Sequence, residues 1–341
     1  MLRFRVRTVW FSFLVAALLV IGTAVSGAPA PKGTGGGTIY FINGTAGSGG
    51  SINYTWSMES DGSNITQLGN WCRFNYPSRI LHNGYRWFLS VRPVAGSYPD
   101  GTQRGELFAF RDDYPASSDT VVQLTNDDTL QLRGCCFYAM QWLPGDESIS
   151  FRARRWSGDE VTEGGLYTVD LLYDENDNII GLAAPPTIPA LPFPLDGDEW
   201  PTFTDHSWDP TGGLVVYYDY GVSGLWVADL ADGTCTQIVE GAATSPDWSP
   251  KGNRIVYAGQ QGGGFNIFVV STDGTLFQQL THRQGSNERP SWSPDGRFIT
   301  FSSNRTGKKE IYIMRADGSG QKKITSGSGE KTAPAWSPFL R

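Results

Sequence analysis

The sequence predicts an all-β fold, a six-bladed β-propeller of four-stranded blades. Three observations predict it: a composition rich in turn formers and aromatic residues, a repeated tryptophan motif, and chain ends that complement each other. The 341 residues include 42 glycines and 20 prolines, and 13% of the residues are aromatic. Glycine and proline favour turns whereas aromatic residues are enriched in strands, so this composition indicates many short strands joined by tight turns.

The repeated motif is a tryptophan followed by a turn. Trp-Ser-Pro begins at Trp248, Trp292 and Trp336, at intervals of 44 residues, and related tripeptides begin at Trp208 and Trp142. In four copies an aromatic residue follows nine positions later, at Phe151, Tyr217, Tyr257 and Phe301. A period of about 40–45 residues with strand-like segments is typical of a propeller blade.

The stretch 288–325 shows the four predicted strands of one blade in order. The first strand ends at Trp292, and Pro294-Asp295-Gly296 makes the turn after it. The second, third and fourth strands follow at 297–301, 310–314 and 322–325. These segments alternate with the period of two that strands show, and Asp-Gly dipeptides supply the positive φ that tight hairpins need.

The two ends of the chain predict that one blade is shared between them. The C-terminal segment 335–341 supplies a first strand and half a turn. The segment 37–41 has the pattern of the missing second strand, and 54–58 and 65–68 match the third and fourth. We therefore expect the N-terminal strands to complete the C-terminal blade, which closes the ring and removes free sheet edges.

Five further blades are expected between these ends. We place them at 71–125, 135–183, 201–239, 243–281 and 288–325. The first two diverge from the repeat and carry longer loops. The Pro-rich stretch 184–201 is interpreted as a surface insertion, so we predict a single propeller domain over residues 38–341.

The pattern P-x-W-S-P-D-G-x-x-I-x-F at 290–301, with the third-strand segment 310–319, resembles the WD-like repeat of TolB-type propellers. The resemblance is clear over 37–69 and 200–341 and weak over 70–200. It implies the propeller fold and a family of mixed function. TolB itself is a periplasmic component of a cell-envelope complex and carries a small α/β domain before its propeller. We expect this chain to lack that domain, and also the hydrolase domain that follows similar propellers in prolyl-oligopeptidase-like peptidases.

The N-terminal segment has the layout of a secretory signal peptide. Arg3, Arg5 and Arg7 precede an apolar run at 9–21, and small residues follow at 24–28. We predict a signal peptide at 1–28 and a flexible Gly-rich leader at 29–37, with an uncleaved membrane anchor as the alternative. The protein is thus expected to be exported, either periplasmic or extracellular.

The net charge is unfavourable for nucleic acid as a partner. The formal charge is −7, and loss of the three arginines before residue 28 makes it −10. Nucleic acids and anionic membrane surfaces both require basic patches. We therefore expect no nucleic-acid partner, and a membrane contact only where the N-terminal segment stays uncleaved.

Metal and cofactor binding find little support in the sequence. Four cysteines at positions 72, 135, 136 and 235 allow three complete pairings, and without C-x-x-C they do not indicate a zinc site. The Asp-rich turn 174–178 could hold Ca²⁺ through its oxygens, although its ligand order differs from an EF-hand. We expect no other cofactor. Use of four glycosylation sequons, at Asn43, Asn53, Asn64 and Asn304, depends on the host.

No residue set indicates catalysis. The three histidines, His82, His206 and His282, fall on different blades, and no G-x-S-x-G motif occurs. Most tryptophans are explained as blade positions. Only Trp156 and Trp200 are predicted to lie in loops, where they could stack on a carbohydrate. The sequence therefore favours a protein without catalytic activity but leaves an enzyme as an open alternative.

Charged residues near the start of two inner strands are the candidate binding residues. Asp205 and His206 precede Trp208, and Glu288 and Arg289 precede Trp292. Inner strands line the channel of a propeller, so these four side chains are expected at its mouth; the alternative is ordinary solvated charges at loop ends.

The most economical function is an exported, monomeric, non-catalytic propeller that binds a protein or acts as a scaffold in the cell envelope or extracellular space. A rigid ring with variable loops is a recognition scaffold, whose function depends on the sites it carries. The alternative is an enzyme or binder that acts on an extracellular glycan or peptide at the channel mouth.

Overall fold

The computed structural model describes nine segments of the chain, at residues 37–47, 50–68, 77–80, 86–111, 121–132, 140–186, 190–192, 203–282 and 285–336. Every regular element in these segments is a β-strand. None of the described residues forms a helix that is long and apolar enough to cross a membrane. The predicted signal peptide and nearly all of the leader lie outside these segments.

Six antiparallel sheets form the six blades. Blade 1 contains β4 (Pro77–Ile80), β5 (Arg86–Ser97), β6 (Gln103–Arg111) and β7 (Val121–Gln123). Blade 2 contains β8 (Leu130–Leu132), β9 (Met140–Trp142), β10 (Ser148–Ser157), β11 (Glu160–Tyr173), β12 (Ile179–Leu182) and β13 (Leu191–Pro192). Blade 2 therefore begins before the predicted position 135. It also recruits part of the Pro-rich insertion, because Leu191 is buried and pairs with Leu166 of β11.

Blades 3 to 5 follow the repeat closely. Blade 3 contains β14 (Phe203–Trp208), β15 (Leu214–Asp219), β16 (Gly224–Asp229) and β17 (Cys235–Glu240). Blade 4 contains β18 (Ala243–Trp248), β19 (Arg254–Gln261), β20 (Gly264–Ser271) and β21 (Phe277–Gln279). Blade 5 contains β22 (Asn287–Trp292), β23 (Phe298–Ser303), β24 (Glu310–Arg315) and β25 (Lys322–Lys323).

Blade 6 is built from both ends of the chain, as predicted. Its inner strand β26 (Glu330–Trp336) pairs with β1 (Thr38–Gly47), and Ile39 lies opposite Trp336. The strands β2 (Gly50–Glu59) and β3 (Thr66–Gln67) complete the sheet.

Each motif tryptophan from blade 3 to blade 6 packs against the preceding blade. Trp248 lies with Val216 and Leu225 of blade 3, and Trp292 lies with Val256 and Ile267 of blade 4. Equivalent clusters fill the other seams, so the hydrophobic core is divided into six seams between neighbouring blades. Side-chain burial of this kind is the main favourable term in folding and holds the ring together.

Asp-Gly turns join the third and fourth strands of blades 3 to 6. The carboxylate of Asp317 accepts a hydrogen bond from the backbone N–H of Ser319, and Asp61 binds Ser63 in the same way. Gly62 and Gly318 follow with φ of 89° and 86°. A β-carbon at Gly62 would clash with the carbonyl oxygen of Ile324, because this turn lies directly on the outer part of blade 5.

Candidate functional site

Inner strands of the regular blades share a one-residue bulge. The register with the second strand shifts between Thr244 and Asp247 in blade 4 and between Glu288 and Ser291 in blade 5, and similar shifts occur in blades 3 and 6. Non-glycine residues with positive φ stand at three of these bulges, at Ser245, Arg289 and Ala333. A bulge re-aims side chains, and a left-handed non-glycine residue is kept only where surrounding structure holds it.

Asp205 connects blade 3 to blade 4. It is buried, and its Oδ2 accepts hydrogen bonds from the backbone N–H of Ser245 at 2.9 Å and from the Ser245 hydroxyl at 3.4 Å. Burial raises the pKa of Asp205 to about 6, although the hydrogen bonds from Ser245 and the charges of Arg289 and Arg152 act in the opposite direction. Asp205 therefore links the inner strands at the mouth.

His206 is fully buried in the seam between blades 2 and 3. Its Nε2 forms a 2.8 Å hydrogen bond with Ser150 Oγ, and the same oxygen accepts a 2.8 Å hydrogen bond from Trp208 Nε1. The imidazole also meets the ring of Phe203 edge-on, with 6.2 Å between centroids. These contacts hold His206 inside the seam.

Glu288 lies in the inner strand of blade 5 and is partly buried. Its Oε2 accepts a 2.7 Å hydrogen bond from Lys309 Nζ and its Oε1 accepts a 2.8 Å hydrogen bond from Ser286 Oγ. Partial burial acts to raise the pKa of Glu288, but the hydrogen bonds from Lys309 and Ser286 outweigh it and lower the pKa. About a quarter of each side chain in the ion pair stays exposed, 25% for Glu288 and 29% for Lys309. A ligand can therefore reach both charges.

Comparison of the blades shows that Glu288 departs from the repeat. The equivalent residues of blades 3, 4 and 6 are half-buried threonines, at Thr204, Thr244 and Thr332. A carboxylate at this position is therefore unnecessary for the bulge.

Arg289 acts across the width of blade 4. It stands in blade 5, yet its charge lowers the pKa of Asp205 in blade 3. Arg152 of β10 contributes to the same effect from blade 2 and lies over the Phe203 ring at 5.6 Å. The charges of Arg289 and Arg152 thus both act on Asp205, and Glu288 is next to Arg289 in the inner strand of blade 5. His206 is held in the neighbouring seam. Their action as ligand contacts stays a prediction.

Two residues of this region were missing from the sequence prediction. Arg152 follows Phe151 at a position where blades 4 and 5 have Ala258 and Ser302, which is a visible departure from the repeat. Asp247 stands where blades 3 and 5 have serine before the tryptophan. Its carboxylate accepts a 2.6 Å hydrogen bond from the backbone N–H of Trp292, and burial raises its pKa to about 6.

Long hairpins of blades 1 and 2 stand at the same end of the ring. Arg154 of β10 donates to Asp100 at 2.6 Å, from the turn between β5 and β6, and to Gln131 at 2.6 Å. Gln131 in turn donates to Thr102 at 2.7 Å. Hydrogen bonds thus join the two hairpins into one braced edge beside the mouth.

The remaining candidate sites have mixed outcomes. The described residues contain no group of three or more His, Cys, Asp or Glu side chains that could hold a metal. In the Asp-rich turn, Asp174 Oδ1 accepts the backbone N–H groups of Asn176 and Asn178. The loop prediction for Trp156 is wrong, because this residue lies in β10, is buried and donates to Gln131. Trp200, His82 and Cys72, Cys135 and Cys136 lie outside the described residues.

Comparisons with known proteins support the propeller. Residues 201–339 match the family described as the TolB beta propeller domain. TolB from Acinetobacter baumannii is similar in structure, with a TM-score of 0.62 and 16% identity over 89% of this chain and 67% of that one. A putative TolB from Agrobacterium tumefaciens gives 0.52 and 16%, over 86% and 90%. Hydrazine synthase from Kuenenia stuttgartiensis gives 0.55 and 13%, over 88% and 46%. No curated protein matches the sequence. Identities this low show the fold alone.

Proposed function

We propose, from the premise that the chain carries a TolB-type β-propeller, that it is an exported, non-catalytic module that binds a partner protein at the channel mouth. The observation that carries this proposal is the rim of blade 5. There Glu288 and Lys309 are paired, about a quarter exposed and dispensable for the repeat, beside Arg289. Charges that the fold does not require are available for recognition.

The geometry of the rim suits protein binding. The bulge fixes the backbone of Arg289, and hydrogen bonds fix Glu288, so little freedom is lost when a partner docks. Groups already held in their bound geometry strengthen binding by reducing the entropy lost on association. Exposed rim charges also steer association and give specificity. Asp205 and His206 contribute by holding neighbouring blades together, because their hydrogen bonds to Ser245 and Ser150 cross the seams.

Export is part of the same proposal. It is supported by the basic start, the apolar run and the small residues of segment 1–28, which have the order of a secretory signal. The mass of the mature protein from its native host tests this point: loss of about 28 residues supports export with cleavage, whereas a full-length mass contradicts cleavage.

The blades themselves provide a variant that tests the binding surface. Glu288→Thr with Arg289→Ser gives blade 5 the residues Thr244 and Ser245 of blade 4, where the same bulge and positive φ occur. We expect this variant to fold normally. In crosslinking to envelope extract followed by affinity measurement with the captured protein, we expect a roughly tenfold weaker Kd, equivalent to about 1.4 kcal/mol.

The control variant is Lys322→Gln with Lys323→Gln, which removes two exposed charges from the outer strand of the same blade. Its Kd should equal that of the wild type. Equal binding by the wild type and the rim variant contradicts the proposal. Turnover of a glycan or peptide that the rim variant abolishes favours the enzymatic alternative.

A further inference from the structure

The outer rim of the seam between blades 3 and 4 has an exposed strand edge next to exposed apolar side chains. We propose that this rim binds an extended segment of a partner protein, which adds to blade 3 as a fifth strand after β17. This site is separate from the channel mouth. The two sites belong to different surfaces, so either can exist without the other.

The first observation is the length of β17. This strand has six residues, Cys235–Glu240, whereas β3, β7, β21 and β25 have two or three. In the described part of the chain β17 pairs with β16 alone. Cys235, Thr236 and Glu240 are exposed, whereas 237–239 are partly buried and the register with β16 shifts at Ile238, so the two ends of the strand form its exposed edge. A long exposed edge offers unpaired backbone donors and acceptors to another chain.

The second observation is that β17, apart from its bulge at Ile238, lacks the lysines that protect an edge in blade 5. Thr236 pairs with Val227 in blade 3, and Lys322 pairs with Ile313 at the same position of blade 5. Gln237 is likewise replaced in blade 5 by Lys323. Lysines protect an edge from pairing because a neighbouring strand would have to accommodate their charges. Blade 5 has this protection and blade 3 does not.

The third observation is an exposed apolar pair next to the edge. Leu276 and Phe277 are 69% and 61% exposed, the two highest values among the exposed large hydrophobic residues of the described segments. Phe277 packs on Phe268 with 5.1 Å between ring centroids, and Phe268 belongs to the core of the seam between blades 3 and 4. Phe277 therefore lies on the side of blade 4 that faces blade 3.

A turn of blade 4 connects the pair to β17. A β-carbon at Gly274 would lie 3.5 Å from Ile238 Cβ, so the turn before Leu276 packs against the middle of β17. The apolar pair and the strand edge therefore belong to one surface.

The fold does not require this apolar pair. The strand pairings align the fourth strands of the two blades, because Gln279 pairs with Phe268 as Lys323 pairs with Tyr312. Two positions earlier, Phe277 of blade 4 therefore corresponds to Gln321 of blade 5. The residue equivalent to Leu276 is Gly320. Blade 5 also has an Asp-Gly turn here, with a glycine and a glutamine, although it closes on the Ser319 carbonyl, one residue earlier than the Leu276 carbonyl that closes the blade 4 turn. An Asp-Gly turn therefore forms without a leucine and a phenylalanine at these positions, so their exposed side chains are free to serve binding. Exposed apolar patches of this kind mark interaction sites.

The surface specifies the chemistry of its partner. Backbone groups of β17 require an extended segment, which binds by β-strand addition. Alternate side chains of that segment point to the same face, so apolar residues at every second position can cover Leu276 and Phe277. Glu240 is the one charge on β17, at its C-terminal end, and a lysine or arginine in the segment would complement it. We therefore infer a segment with alternating apolar residues and a basic residue at one end.

Two variants taken from blade 5 test the proposal. The edge variant, Thr236→Lys with Gln237→Lys, introduces the lysines of β25. The patch variant, Leu276→Gly with Phe277→Gln, introduces Gly320 and Gln321. Both sets of residues occur at these positions in blade 5, so we expect both variants to fold, which circular dichroism and the unfolding midpoint check.

The probe is a random dodecapeptide library displayed on phage and selected on the purified chain. We expect enrichment of peptides with alternating apolar residues and a basic end. The best peptide, made synthetically and labelled, should bind at least tenfold more weakly to each variant, as measured by fluorescence anisotropy. A copy of the peptide with N-methylated backbone on its pairing edge should also lose at least tenfold. The Glu288→Thr, Arg289→Ser variant should bind it like the wild type, which separates this site from the channel mouth.

Several results overturn the proposal. One is a selection that enriches no such pattern, and another is a peptide that binds the wild type, the edge variant and the patch variant equally. The third such result would come from sedimentation. If the wild type is a dimer and the edge variant a monomer, the edge binds a second copy of this chain instead.

Discussion

Buried polar residues lie at the contacts between blades and specify how the blades meet. Asp205 binds the backbone of Ser245, and Asp247 binds the backbone of Trp292. Removing a carboxylate from water is costly, as the raised pKa values of both residues indicate. Such groups contribute little net stability but penalise every arrangement in which they lose their partner. We interpret them as residues that fix the position of one inner strand relative to the next.

Ser150 provides a residue-scale prediction. Its hydroxyl lies in the seam between blades 2 and 3 and is bonded to both His206 and Trp208. Ser150→Ala leaves the indole N–H without this acceptor and the imidazole without this partner, and an unsatisfied buried polar group costs about 1–3 kcal/mol. We expect the free energy of unfolding, measured by urea denaturation, to fall by roughly that amount.

Ser148→Ala on the same strand is the matched control. Ser148 binds the exposed Asp170 at the surface, so its loss should change the free energy of unfolding by less than about 0.5 kcal/mol. If both variants lose the same small amount, the contacts of Ser150 do not stabilise the seam.

The sequence identified the four candidate site residues, but it did not predict the burial of two of them or the role of the neighbouring Arg152. Glu288 could be found because the other regular copies have threonine at its position, and Arg289 because blades 4 and 6 have serine and alanine at its position. Asp205 and His206 could be found in the same way, but their burial could not, because it depends on Ser245 and Ser150 in other blades. Arg152 was missed because its effect on Asp205 crosses between blades that diverge in sequence. Repetition thus identifies unusual residues, whereas packing between blades decides their roles.

At the scale of the element, turns were predicted better than the ends of strands. The Asp-Gly dipeptides of the described segments lie in tight turns where the sequence placed them, because their conformational preference is local. The start of blade 2 and the role of β13 were not predicted. Both depend on long-range pairing, such as that between Leu191 and Leu166, and no local pattern indicates it.

Glycines in equivalent turns provide an element-scale prediction. Gly62 and Gly233 both have positive φ, at 89° and 73°, so alanine is strained at either position by about 1 kcal/mol. A β-carbon at Gly62 also meets the backbone of Ile324, whereas one at Gly233 meets no atom within 4 Å. We expect Gly62→Ala to lower the free energy of unfolding by at least about 1 kcal/mol more than Gly233→Ala.

Thermal or urea unfolding of the two variants provides the comparison. Equal losses would show that the turn of blade 6 can move away from blade 5 at little cost, and that docking of this turn does not stabilise the seam.

At the scale of the molecule, the ring has a regular half and an elaborated half. The family match covers 201–339, where inner strands, bulges and turns repeat most closely. The hairpins of blades 1 and 2 are longer, with up to 14 residues in β11, and braced by Arg154. The whole ring was still predictable, because the complementary chain ends required closure and the spacing left room for two further blades. The braced hairpins were not, since their contacts connect side chains far apart in sequence.

Closure of the ring leads to the last prediction. Blade 6 is held by pairing between β1 and β26, where Ile42 lies opposite Thr332, as Ala258 lies opposite Thr244 in blade 4. A disulfide at the first pair encloses nearly the whole ring, whereas one at the second encloses a short hairpin. In the chain-entropy model a loop of about 15 residues gives roughly 3 kcal/mol and a loop above 100 residues gives more than about 4.7 kcal/mol.

We therefore expect oxidation of Ile42→Cys with Thr332→Cys, in a background with the native cysteines replaced by serine, to stabilise the protein by at least about 1.5 kcal/mol more than oxidation of Thr244→Cys with Ala258→Cys. The measurement is the free energy of unfolding of each variant, oxidised against reduced. Equal gains would contradict the expectation that the bond across blade 6 restricts the unfolded chain more than the bond within blade 4. A larger gain at the closing pair would show that joining the two ends of the ring restricts the unfolded chain more than joining the strands of one hairpin, as loop length requires.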